Sequence, residues 1–142
     1  MHFVANSGHI GCSLSCVDLL ISILKDINED HSFILSKGHA ASALYAVLNE
    51  LGKIPDEDIE TFYKDATKLS AHPAPLKYPS ITFATGSLGH GLPLAVGVAK
   101  AMKIKKQEGF SYVLMSDGET NEGTSWEAAH FAVTNRLDNL AV

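Results

Sequence analysis

The sequence predicts an α/β fold, a mostly parallel sheet held between helical layers. Three observations lead there. Short apolar runs at residues 33–35, 112–115 and 140–142 read as strands, and the first two lead through a glycine-bearing turn into a helical pattern. The helical segments at 14–24 and 92–107 are too apolar, or too rich in small residues, for helices with only one face covered. The breaks in periodicity gather glycine and histidine, as loops at one end of a sheet do when they present side chains to a ligand.

The first polar turn is Asn6-Ser7-Gly8-His9-Ile10-Gly11. Leu14, Val17, Leu19, Leu20, Ile23 and Leu24 then make a strongly apolar helix, with Ser13 as its cap. Phe33-Ile34-Leu35 is the first strand, and Ser36-Lys37-Gly38-His39 turns the chain into a second helix. Leu44, Val47, Leu48 and Leu51 form the stripe of that helix, and Gly52 ends it. Pro55 opens a short helix through Tyr63. Pro73, Pro75 and Pro79 exclude regular helix and make residues 69–79 an ordered loop or lid. Ile81-Thr82-Phe83 is extended and leads into Gly86-Ser87-Leu88-Gly89-His90-Gly91. The helix at 92–107 follows, with Pro93 in its first turn and Ala95, Gly97, Ala99 and Ala101 expected against neighbouring backbone. The strand at 112–115 runs into Ser116-Asp117-Gly118. A helix over 121–134 carries Trp126, assigned to the core, and 140–142 begin a further strand. A chain that stops on the first residues of a strand reads as one partial domain over residues 1–142.

At 142 residues the length fits one domain or a large piece of one, with 46% hydrophobic and 19% charged residues. The net charge of −5 and scattered lysines give no nucleic-acid surface. No apolar run reaches the roughly 18 residues of a membrane span. Met1-His2-Phe3 lacks the regions of a signal peptide. Cys12 and Cys16, four residues apart, are not a CxxC redox pair and read as buried small side chains in a reducing, cytoplasmic setting.

Four histidines in turns, His9, His39, His72 and His90, are candidates to hydrogen-bond a ligand or to move protons. Their spacing does not make a zinc site. The order G-x-x-G-x-G at residues 86–91 reverses the dinucleotide fingerprint, and a Walker lysine is missing. A glycine turn before a helix still lets backbone N–H groups approach a ligand, or lets the helix pack closely. Asp117 is a hard oxygen ligand for a divalent cation, and Gly118 allows close backbone approach. Glu119 reads as part of a solvated helix start, and Glu122 as a first-turn glutamate or an interface hydrogen-bonding group.

Taken together, Ser7-Gly8-His9-Ile10-Gly11, Leu35-Ser36-Lys37-Gly38-His39-Ala40, Ala71-His72-Pro73, Thr85-Gly86-Ser87-Leu88-Gly89-His90-Gly91 and Ser116-Asp117-Gly118 with Asn121-Glu122-Gly123 resemble the N-terminal, diphosphate-binding region of transketolases. The resemblance implies an incomplete three-layer αβα fold of the thiamine diphosphate-binding (PP) type. It implies transfer of a two-carbon ketol unit between sugar phosphates, with thiamine diphosphate as cofactor. On that analogy Asp117 ligates Mg²⁺ or Ca²⁺, Gly118 lies against the diphosphate and His39 contacts it. Gly86, Ser87 and Leu88 line the thiamine site. His9 and His72 meet substrate and assist proton transfer, and Glu122 sits at a subunit interface. Ser116, Lys37, His90 and Ile10 depart from the residues frequent in the family, which bears on substrate choice more than on cofactor choice. The family's second metal ligand is an Asn after the next strand. Asn139 precedes that strand and is not counted.

The expectation is a chain inactive alone that joins a partner chain or domain carrying the pyrimidine-binding half, as a homo- or hetero-oligomer. The alternatives are another thiamine diphosphate enzyme, of the deoxyxylulose-phosphate synthase or 2-oxo acid dehydrogenase E1 kind, and a non-catalytic interaction module that kept the fold.

Overall fold

A computed structural model of the chain describes residues 1–75 and 78–142. The loop expected over residues 69–79 includes Leu76 and Lys77, which lie outside the described residues. Its described part has neither helix nor strand. The chain forms two compact units. One comprises Met1–Asp26 with Gly38–Gly86, the other Ile27–Lys37 with Ser87–Val142.

The first unit is helical, with α1 (His2–Ala5), α2 (Ile10–Leu14), α3 (Val17–Leu24), α4 (Ala41–Glu50) and α5 (Asp56–Ile59). Its centre is α4, whose Leu44, Tyr45, Val47 and Leu48 are buried while α2, α3 and α5 pack on it. Gly52 stops α4 as expected. It adopts φ +69°, its N–H donates to Asn49 O, and Lys53 N–H donates to Leu48 O, the paired bonds of a Schellman motif.

The helix expected over 14–24 is two helices. Cys16 leaves helical dihedrals at φ −135°, and its N–H closes a tight turn on Ser13 O. Ser13 is not a cap: it lies inside α2, its hydroxyl 2.7 Å from Ser42 Oγ. Leu20 and Leu24 are buried, yet Leu14 and Leu19 are 68% and 54% exposed, so this apolar segment is not covered on all sides within the chain. Cys16 is buried and Cys12 half-buried, and neither is in a disulfide. The helix from Pro55 is a single turn and does not reach Tyr63, which turns left-handed at φ 61° and donates its N–H to Leu69 O.

The second unit holds the sheet. Strands β1 (Ser32–Leu35), β2 (Ser111–Leu114) and β3 (Leu140–Ala141) are all parallel, in the order β1-β2-β3. Ser32 pairs with Ser111, and Ser111 with Leu140. Helix α6 (Gly91–Lys105) packs on all three strands and on α7 (Gly123–Thr134). Small residues permit that approach: Ala95 and Ala99 are fully buried, and a Cβ at Gly91 would stand 2.6 Å from Ser36 Cα. Burial of α6 is one-sided, because Gly97, Ala101 and Ile104 remain exposed. Residues 81–83 form no strand. Trp126 is not core; it is 66% exposed, and its indole N–H donates to Thr120 O.

Candidate functional site

In the helical unit the turns carrying His9, His39 and His72 converge. The His9 and His39 rings lie 4.9 Å apart between centroids, and His39 meets His72 edge-on at 4.7 Å. They line a cavity of about 400 Å³ together with Asn6, Ser7 and Tyr63. Each turn has a local cause. His9 adopts a left-handed conformation (φ 69°, ψ 17°) where α2 begins. His39 sits in a 3₁₀ turn, Gly38–Ala40, pressed against the next glycine loop; a Cβ at Gly38 would meet Thr85 O at 2.6 Å. A Cβ at Gly86 would likewise meet the His72 ring at 2.9 Å, so both glycines are steric requirements of the cluster.

The His72 turn is fastened to α4. The buried Tyr45 hydroxyl donates to Ser70 O at 3.0 Å and to His72 O at 3.2 Å, while Ser70 Oγ donates to His72 O at 2.6 Å. Burial pushes the Tyr45 phenol up to about 12, partly opposed by its hydrogen bond to Ser70, so the hydroxyl stays a donor at neutral pH. His72 is moved the other way. Burial, then the charges of His39 and His9, hold it below the ordinary imidazole value, which leaves a neutral ring at pH 7. A neutral ring beside two further imidazoles can accept or return a hydroxyl proton. His2, which carries no motif in the sequence, holds the His9 turn: its Nδ1 lies 3.2 Å from Ser7 O, and its Nε2 lies 2.7 Å from Ser42 Oγ.

In the sheet unit, the turn after β2 exposes Asp117 and Gly118. The Asp117 backbone is fixed by Thr120, whose N–H and hydroxyl both reach Asp117 O, at 3.0 and 2.5 Å. Its carboxylate has no hydrogen bond or ion pair among the described residues. Glu122 is exposed and caps α7 without a side-chain bond, its stem against Gly89. Ser87 is exposed and Leu88 half-buried, with Leu88 O 3.1 Å from the His90 Nδ1. Glu119, expected on a solvated helix start, is instead a buried residue whose side chain has no exposed surface. Its carboxylate accepts Ser36 Oγ at 2.5 Å, Gly89 N–H at 3.0 Å and Ser116 N–H at 2.9 Å. The signal was Ser36, a polar residue straight after a buried strand, but it lies 83 residues away in sequence.

Of the candidates, His9, His39, His72 and Gly86 come together in the helical unit. Asp117, Gly118, Glu122, Ser87 and Leu88 belong to the sheet unit. Among the described residues no group of three or more His, Cys, Asp and Glu side chains could hold a metal ion by itself. That donor set does not suit an all-protein cation cage. It does suit a hard cation that takes one carboxylate from the protein and its other oxygens from a phosphorylated ligand. Space above Gly118 agrees with this, since the nearest atom to a Cβ there is Ser116 Oγ at 4.0 Å.

A parallel α/β fold whose strand-end turns carry an uncommitted carboxylate, with a separate imidazole-lined cavity, defines a ligand-binding α/β protein. The family follows from comparison. Residues 3–142 match the transketolase, thiamine diphosphate binding domain, and the chain belongs to that family. It is 41% identical over 145 residues to an apulose-4-phosphate transketolase subunit of Actinobacillus succinogenes, covering 95% of this chain and 52% of that protein. It is 38% identical over 143 residues to a 6-deoxy-6-sulfo-D-fructose transketolase subunit of a Clostridium species, covering 94% and 52%. The transketolase structure from Leishmania mexicana matches with a TM-score of 0.72 at 29% identity, over 78% of this chain and 18% of that one. The chain thus spans about half the length of these curated relatives, and its fold class is the expected αβα, thiamine diphosphate-binding type. Among the described residues no helix is long and apolar enough to cross a membrane.

Proposed function

We propose that this chain is the N-terminal part of a diphosphate-binding domain in a transketolase-type transferase, one that moves a two-carbon ketol unit between sugar phosphates. The observation that carries the reading is the contact of three imidazoles, His9, His39 and His72, over one cavity in a chain of this family. When bound, thiamine diphosphate supplies the carbon nucleophile and the electron sink for C–C cleavage. This chain's residues hold and orient. Asp117 would ligate Mg²⁺ or Ca²⁺ through its exposed carboxylate, and Gly118 would leave room for the diphosphate. His39 would hydrogen-bond that diphosphate, and the backbone at Gly86, Ser87 and Leu88 would border the thiamine. His72, neutral because it is buried beside two other imidazoles, takes a proton from a sugar hydroxyl and returns it; His9, the most exposed of the three, meets the substrate.

The partner is a chain carrying the pyrimidine-binding half. Two similar proteins are named as transketolase subunits, which supports a split enzyme, and Glu122 is the interface residue we assign. Two cysteines outside any disulfide fit a reducing, cytoplasmic compartment. The test is a calorimetric titration with thiamine diphosphate and Mg²⁺, with and without the candidate partner chain, followed by a donor and acceptor panel on the assembly. Uptake of the cofactor, and ketol transfer only when the partner is present, is expected. No uptake in either case would favour a non-catalytic module, and transfer by the chain alone would refute the requirement for a partner.

A further inference from the structure

Glu119 is a charged side chain with no exposed surface. Its three donors come from three different places: the Ser36 hydroxyl just after β1, the Gly89 amide in the turn before α6, and the Ser116 amide just after β2. Its own carbonyl accepts from the Ser125 hydroxyl at 2.8 Å and from the Glu122 amide at 3.1 Å, which ties the same turn to α7. A buried carboxylate is costly unless its lone pairs are met, and here both oxygens are engaged. A glutamine would turn an NH₂ group toward amide or hydroxyl donors on one side.

We propose that Glu119 is a positioning residue for Asp117. The carboxylate holds the Ser116 N–H, one residue ahead of Asp117, Thr120 holds the Asp117 carbonyl, and the Asp117 side chain is left uncommitted among the described residues. A ligand presented on a fixed backbone loses little freedom on binding a cation, and Glu119 supplies that fixity without touching the cation. This role rests on the reading of Asp117 as a metal ligand.

The test compares wild type with Glu119→Gln, and with Ser36→Ala, which keeps the charge and removes one donor. Two quantities are read on the assembly that takes up thiamine diphosphate. One is the Mg²⁺ concentration at half-maximal cofactor binding. The other is hydrogen exchange of the Gly89 and Ser116 amides in the ligand-free protein. Glu119→Gln should raise the Mg²⁺ midpoint by about tenfold and speed exchange at both amides. Ser36→Ala should raise the midpoint by about threefold. A merely structural role would lower the melting temperature and the amount of folded protein while leaving the midpoint of the folded fraction in place, and that result overturns the proposal. If Glu119→Gln does not fold, Ser36→Ala decides: an unchanged midpoint overturns the proposal and a raised one supports it. Failure of the wild type to bind cofactor at any Mg²⁺ concentration refutes the metal reading itself and this role with it, whereas wild-type binding with an unmoved Glu119→Gln midpoint refutes the positioning role alone.

Discussion

Tyr45→Phe tests whether α4 holds the His72 turn. The substitution removes one hydroxyl and keeps the ring, including its edge contact with Phe62 at 6.1 Å between centroids. The hydroxyl donates to Ser70 O and His72 O. His72 O keeps a second donor in Ser70 Oγ, so the loss falls mainly on Ser70 O. An acceptor left without its partner costs about 1–3 kcal/mol. Ser70 is an exposed residue whose carbonyl water can reach, so the lower part of that range applies, about 1–1.5 kcal/mol. With a urea slope near 2 kcal/mol per molar, the unfolding midpoint should fall by roughly 0.5–0.7 M. The phenol ionises only near 12, so the donor is intact throughout neutral pH and the shift should not vary with buffer. In a histidine titration followed by NMR, the His72 ring should also move toward its ordinary value as its turn loosens and admits water. A midpoint unchanged within about 0.1 M at constant slope would refute the claim that this bond holds the turn.

Stability should fall with acidification: His72 titrates lower folded than unfolded, so its neutral form contributes stability above the unfolded value near 6.5, and this is lost as pH drops from there toward the folded value. Thermal melts between pH 7.5 and 5 check this, and His72→Gln should flatten the dependence. Gly38→Ala should cost about 2–3 kcal/mol, because its Cβ would stand 2.6 Å from a backbone oxygen that has no rotamer to escape into; a denaturation curve matching wild type would contradict the close approach. Asp117→Asn should leave stability within about 0.5 kcal/mol, since its carboxylate is exposed and uncommitted, yet abolish Mg²⁺-dependent uptake of thiamine diphosphate; retained uptake in the same titration would remove Asp117 from the metal site.

The strands and the stop of α4 were legible because their causes are local. Apolar runs bounded by turns placed each strand within about one residue, and a glycine after a helical stripe takes the left-handed cap. The turn histidines stood out because each sits beside glycine or proline, but their meeting is tertiary: His9, His39 and His72 come together within the helical unit. His90 belongs to the sheet unit, beside its own Leu88 carbonyl. Glu119 was not legible. A glutamate one residue after a glycine at a helix start looks like a solvated cap, and only the folded chain reveals that Ser36 and Gly89 point their donors at it. Trp126 misled in the opposite sense: its size suggests burial, but its position on α7 leaves it exposed. The break between α2 and α3 was hidden because Ser15 and Cys16 carry no strong helix-breaking signal, and the tight turn depends on how the segment fits α4.

The parallel register of β1 and β2 also has a kinetic side. Ser32 pairs with Ser111, 79 residues later, and the stretch Gly38–Gly86 of the helical unit lies inside that interval. Closing a loop of this length costs on the order of 4 kcal/mol in chain entropy before any ladder bond repays it. On a ribosome adding about 5–20 residues per second, β1 waits roughly 4–16 s for its neighbour. During that time the helices of Gly38–Gly86 already have the local contacts to form, while Phe33, Ile34 and Leu35 wait for β2, the strand they pair with among the described residues. Pairing of β1 with β2 is therefore a late event in folding during synthesis, and the apolar run of β1 stays open to a chaperone until β2 emerges.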